Sequence, residues 1–253
     1  ASYDKYKGDK NHAFWYFDKE MADATEKYYA NERGKTEQYI GFEQKGKLIT
    51  FNPKSHVRMS PSFQPEADGV TFHLKAVYTD TLRNEYSKEH STHPIRMSRI
   101  CGPVEVVNDT TFTVRFYRMG LDNPKRTGGI CLMASVKQDH KYRSAVQQVE
   151  IRIPYRNKEG IPQRIIFPKL SDVKASVKEI SLNGTADSGL PVYYYVKEGP
   201  AEIKGDKLVL TKIPPRAKFP VKVTVVAWQY GRSGEPKVQT AEAVEQSFYI
   251  TAR

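Results

Sequence analysis

The run Gly102-Pro-Val-Glu-Val, with Asp109-Thr-Thr-Phe-Thr-Val behind it, comes back as Gly199-Pro-Ala-Glu-Ile followed by Asp206-Lys-Leu-Val-Leu. Ala134-Ser-Val and Ala145-Val-Gln-Gln148-Val-Glu-Ile come back as Ala227-Trp-Gln and Ala241-Glu-Ala-Val-Glu-Gln246-Ser-Phe-Tyr-Ile. The offsets are 97, 93, 96 and 98 residues, so order and spacing hold with loop-sized changes only. Such a pattern predicts one architecture built twice, and 253 residues leave room for two cores of ordinary size. Upstream, Phe72-His-Leu aligns with Ile180-Ser-Leu, which gives the first copy an insertion at about 81–95.

The segments around these marks are short and alternate. Strand candidates are 70–78, 111–117, 130–134 and 146–153 in the first copy. In the second they are 180–182, 192–196, 208–210, 221–228 and 247–250. Segments 38–43 and 47–51 flank the turn residues Gln44-Lys-Gly46 as a hairpin would. Period-two alternation punctuated by Gly, Pro, Asn and Asp predicts an antiparallel β-sandwich.

The N-terminal part reads differently. His12-Ala-Phe-Trp-Tyr-Phe17 is an aromatic cluster, and Met21, Ala24 or Thr25, and Tyr28 then fall at helical spacing behind Asp18, a helix-capping residue. Gly34 ends the predicted helix. One amphipathic helix cannot bury Phe14, Trp15 and Phe17 by itself, so these three predict docking on a neighbouring module. The expected organisation is mainly β, two tandem sandwiches preceded by a helical segment. Residues 1–35 form a helical tail or connector, 36–167 the first sandwich with its insertion, and 168–253 the second.

Lys and Arg number 40 against 29 Asp and Glu, a formal charge of +11. The excess is diffuse, with no run of five or six like charges. It fits weak attraction to an acidic polysaccharide as well as to nucleic acid, and no dedicated nucleic-acid site is expected. No apolar run approaches the ~18 residues of a helical membrane span. Ala1-Ser-Tyr-Asp-Lys is not the apolar core of a secretion signal, so any such signal is expected outside this chain.

Motifs for chemistry are scarce. His90 and His93 are the close histidine pair, in a polar stretch with Glu85 and Glu89, and a metal site there needs ligands from elsewhere. No nucleophile elbow, zinc-protease helix, phosphate loop or dinucleotide glycine pattern occurs. Catalytic residues, metal ligands and cofactors are therefore expected to be absent. Cys101 and Cys131 align by the repeat with Glu198 and Thr224, outward-facing positions, and their pairing in an oxidising compartment stays open.

Thr185-Ala-Asp-Ser-Gly-Leu-Pro-Val-Tyr-Tyr-Tyr-Val, the following Gly199-Pro-Ala-Glu-Ile and Val223-Thr-Val-Val-Ala-Trp-Gln-Tyr-Gly resemble bacterial immunoglobulin-like modules. The resemblance is specific over 169–253, degenerate over 50–155 and does not reach 1–35. The wider region is similar to the C-terminal accessory part of polysaccharide-utilisation proteins of Bacteroidetes-type bacteria. It implies an extracytoplasmic spacer, adhesion or glycan-contact role and brings no catalytic motif.

Strand alternation supplies a candidate site. With Val192, Tyr194 and Val196 inward, Tyr193 and Tyr195 face out. By the same reasoning Thr224, Val226 and Trp228 face out on 221–228, and Tyr249 on the last strand. In an immunoglobulin-like sandwich these strands share a sheet. Tyr193, Tyr195, Trp228 and Tyr249, with Lys197 and Lys222 beside them, then make an exposed aromatic patch that contacts a module or a glycan. The expected function is a non-catalytic accessory pair in a secreted or surface polysaccharide-processing protein, its partner a neighbouring module of that protein. The alternatives are a fragment of a glycoside hydrolase or other polysaccharide-degrading enzyme, and a protein-binding adhesin module.

Overall fold

The computed structural model describes residues 27, 30–49, 61–80, 84–116, 128–154 and 156–252. Phe14, Trp15 and Phe17 lie outside them. Of the expected N-terminal helix, Lys27 and residues 30–32 are helical.

The first half carries β1 (Tyr39–Gln44), β2 (Lys47–Ile49), β3 (Thr71–His73), β4 (Lys75–Asp80), β5 (Glu85–Tyr86), β6 (Arg96–Cys101), β7 (Val104–Val106), β8 (Thr111–Val114), β9 (Gly129–Val136) and β10 (Ala145–Arg152). The second carries β11 (Ile165–Ile166), β12 (Val173–Lys174), β13 (Glu179–Ser181), β14 (Thr185–Ala186), β15 (Tyr193–Glu198), β16 (Ala201–Lys204), β17 (Lys207–Leu210), β18 (Val221–Trp228) and β19 (Val244–Thr251).

The two halves repeat one topology. Order β10-β9-β6 in the first matches β19-β18-β15 in the second, and β3-β8-β7 matches β13-β17-β16. A parallel strand joins the outer edge of the longer sheet in the second half, Val173 pairing with Ile250, and a parallel Ser62–Arg152 bridge stands at the corresponding edge of the first. Pairing of β1 with β4 is answered by pairing of β11 with β14. Two facing sheets with these connections are an immunoglobulin-like sandwich.

The repeated Gly-Pro step has one physical reason in both halves. Gly102 and Gly199 have φ of 94° and 103°, a region open to glycine and rarely adopted by other residues. A β-carbon would stand 2.4 Å from the Gly129 carbonyl oxygen at Gly102 and 2.8 Å from that of Lys222 at Gly199. Each glycine lets the turn after an edge strand, β6 or β15, press against the start of the neighbouring β9 or β18.

Three sequence expectations need adjustment. The single strand expected over 70–78 is broken at Leu74, whose amide donates to Thr110, so β3 and β4 join different sheets. The glutamines that mark the repeat are not equivalent. Gln148 lies opposite Met133 on the outer face, while Gln246 lies opposite the inward Val225 and donates to the Phe167 carbonyl at 3.0 Å. Val149, opposite Leu132, holds the position of Gln246. Finally, Ile165 and Phe167 already pack in the second core, so the chain enters the second sandwich before the Phe167-Pro168 step. Within the expected insertion, β5 pairs with β4 and Tyr86 donates to Glu43 at 2.5 Å, extending that sheet by a strand.

Candidate module-docking site

Two apolar cores form, and β18 serves both. Val223, Val225 and Ala227 point into the second core beside Tyr194, Leu208 and Phe248. Val226, Trp228 and, just past the strand, Tyr230 point the other way, into the core built by Phe72, Phe112, Leu132 and Ile151 of the first sandwich. The cause is strand alternation acting on a sequence apolar at both parities. From Val223 to Gly231 every residue is buried.

The outer aromatics are assembled by register. Tyr193 is directly opposite Trp228 and Tyr195 opposite Val226. The Tyr193 and Trp228 rings stack at 5.0 Å, and the Trp228 and Phe116 rings meet perpendicular to each other at 4.8 Å and 89°. Phe116 also lies 6.1 Å from Tyr230, which contacts Phe63 at 6.3 Å. Trp228 is fully buried and Tyr195 nearly so. Its indole Nε1 has no acceptor among the described residues, so Trp228 acts through packing and ring geometry. Burial raises the Tyr193 phenol, with the nearby Asp68 carboxylate adding to the effect and Arg115 opposing it.

A polar frame closes one end of this seam. The Tyr230 hydroxyl donates to the Pro154 carbonyl, and the Tyr230 carbonyl accepts from Asn157 Nδ2 at 3.0 Å and Thr240 Oγ1 at 2.5 Å. Arg232 donates to the Ala67 carbonyl at 3.1 Å. Gly69 and Gly231 approach so closely that a β-carbon on Gly69 would sit 2.0 Å from the Gly231 oxygen.

The remaining expected residues lie on the open part of the same sheet. Tyr249 is exposed and opposite Lys222. Lys222 pairs with Glu198 at 2.7 Å, and Lys197 with Glu245 at 2.5 Å. The Lys222 ammonium, then the Thr224 hydroxyl, holds the Glu198 carboxyl below its ordinary range. Each lysine thus has a carboxylate on it, so these two positions add no unpaired positive charge beside Tyr249. The patch of four rings is therefore divided: Tyr193, Tyr195 and Trp228 lie against the first sandwich, Tyr249 in solvent.

Phe116, Tyr230 and Phe63 complete the seam and were not among the expected site residues. Phe116 extends the Phe112, Val114 alternation and reads from sequence as ordinary core. Tyr230 had a legible signal, since it continues the Val226, Trp228 series past the end of the strand.

Elsewhere, the His90 ring stacks on Tyr78 at 4.2 Å and the His93 carbonyl accepts from the Tyr78 hydroxyl at 2.7 Å. Among the described residues no group of three His, Cys, Asp or Glu is placed to hold a metal ion, and no helix is long and apolar enough to cross a membrane.

No protein-family model and no curated protein matches the chain. Among solved structures it is similar to Drosophila N-cadherin EC1-4, at 10% identity and a TM-score of 0.27, covering 77% of this chain and 47% of that one. It is also similar to human protocadherin-24 EC1-2, at 12% identity and a TM-score of 0.29, covering 77% and 94%. A third is mouse cadherin-23 EC22-24, at 17% identity and a TM-score of 0.25, covering 85% and 65%. The chain thus spans about half the length of the N-cadherin chain it matches.

Proposed function

We propose that this chain is a non-catalytic accessory pair, two sandwiches held as one stiff unit that keeps a neighbouring module of a larger protein at fixed distance and angle. The observation that carries this reading is the double burial of β18, with Val225 and Ala227 in one core and Val226 and Trp228 in the other. Two sandwiches joined only by a flexible linker have no reason to place a tryptophan between them. Phe14, Trp15 and Phe17 are the proposed contacts to the preceding module. The resemblance of 169–253 to immunoglobulin-like modules supports an extracytoplasmic setting, and the separate resemblance of the wider region supports a secreted or surface polysaccharide-processing protein as the host.

Calorimetry and activity assays test the two parts of the reading. One cooperative unfolding transition is expected, with no release of sugar from a panel of neutral and acidic polysaccharides. Two well-separated transitions would overturn the stiff unit, and new reducing ends would overturn the non-catalytic role.

A further inference from the structure

Cys101 closes β6, Cys131 is the third residue of β9, and the antiparallel ladder sets them directly opposite each other. Opposed residues of such a pair share a face, with Cα atoms about 4.5–5.5 Å apart, inside the roughly 4.4–6.8 Å span of disulfides. A bulge makes this possible. Arg99 faces Leu132 and Cys101 faces Cys131, so Ile100 is the extra residue and Cys101 takes the place opposite Cys131.

The second sandwich shows what side chains do at this position. The same bulge falls between Val196 and Glu198, Glu198 stands opposite Thr224, and Thr224 Oγ1 donates to Glu198 Oε1 at 2.7 Å. Where the second copy joins β15 to β18 by a hydrogen bond, the first has two sulfur atoms. Cys101 is exposed and Cys131 half-buried, and both are thiols in this structure.

We infer that Cys101 and Cys131 are a site of reversible disulfide formation, a cross-strand clip between β6 and β9. The oxidant is a disulfide RSSR, either a small molecule such as oxidised glutathione or the active disulfide of a dithiol oxidase. The more accessible Cys101 thiolate attacks one sulfur of RSSR, the S–S bond breaks, and RS⁻ leaves. The Cys131 thiolate then attacks the Cys101 sulfur of the mixed disulfide and expels the second RS⁻. The two cysteine protons end on the two RSH released, so two thiols are oxidised and one disulfide is reduced. The clip closes the loop that holds β7 and β8, and it stands independently of the docking role proposed above.

The test equilibrates the purified chain with glutathione buffers from reducing to oxidising, quenches in acid, and alkylates under denaturing conditions before intact-mass measurement. In oxidising buffer the expected product is unalkylated monomer lighter by two hydrogens. Reduction by dithiothreitol restores two alkylatable thiols and lowers Tm by roughly 5–10 °C, from the loop-closure contribution of the bond. Cys101→Ser never yields the product lighter by two hydrogens: its one remaining thiol is either alkylated or, in oxidising buffer, carries a single glutathione, and the variant loses the redox dependence of Tm that the internal bond confers. Two alkylatable thiols in fully oxidising buffer, or sulfur pairing only between chains on a non-reducing gel, would overturn the inference.

Discussion

Tyr193 and Trp228 face each other across β15 and β18 at the place where Arg96 and Ser135 face each other across β6 and β9. One step along, Tyr195 and Val226 answer to Ser98 and Met133. The inner faces of these strand pairs are alike, apolar and buried in their own sandwich. The outer faces are not. Arg96 is exposed and bonds Asp109 at 2.8 Å, whereas Trp228 is sealed beneath the core of the other sandwich. The inner parity of each strand specifies the sandwich, and the outer parity specifies what the sandwich is joined to.

The largest effect expected from breaking this comparison is at Trp228. Trp228→Ala removes a fully buried ring and should cost about 3–5 kcal/mol in urea unfolding. Ser135→Ala, at the equivalent outer position, should stay within about 0.5 kcal/mol. The variant should also split the unfolding into two steps as the seam opens. Equal, small effects at both positions would mean that the outer face of the second sandwich does not couple the cores.

A smaller, symmetric effect is expected where the copies agree. Gly102→Ala and Gly199→Ala each combine a positive φ with a close carbonyl, and each should lose roughly 2–4 kcal/mol. Gly189 also has a positive φ, 74°, but open space around it, so Gly189→Ala should lose only about 1 kcal/mol. Thermal denaturation of the three variants ranks them. If only one of the Gly102 and Gly199 variants is damaged, the structural equivalence of the two turns fails.

How far the sequence carried these conclusions follows from which interactions are local. Inward and outward residues of β15, β18 and β19 could be assigned because alternation is a property of one strand. That Trp228 meets Phe116 could not, since Phe116 belongs to a run whose parity serves its own core. The break at Leu74 is hidden for a related reason: 70–75 alternates cleanly, the run Ala76-Val-Tyr78 is apolar at both parities, and pairing with different strands is what divides the segment and moves the buried parity to Val77 and Thr79. The Gln148 and Gln246 match misleads because the two residues share an identity and not a parity. The repeat aligns the cysteines with Glu198 and Thr224, yet that those positions oppose each other depends on a bulge with no local signature.

The smallest predicted effect separates the loops that follow β9 and β18. In the first, Asp139 accepts from the amides of Lys141 at 2.8 Å and Tyr142 at 2.7 Å. Its pKa is held at about 2, chiefly by the Ser91 hydroxyl and then by these amides. In the second, uncharged groups hold the backbone: Gln229 Oε1 accepts from the Gly231 amide at 2.6 Å and Thr240 Oγ1 from that of Asn157 at 2.9 Å. A carboxyl depressed on folding stabilises fully above its unfolded pKa, near 3.9, and loses that contribution as pH falls through the folded value. Asp139→Asn should therefore flatten the stability curve between about pH 4 and pH 2. Thr240→Ala, which removes no charge, should shift stability by the same amount across that window. Carbon-13 titration of the Asp139 carboxyl gives the direct check, and a midpoint at the ordinary aspartate value would show that the loop amides do not bind its charged form more tightly than water does.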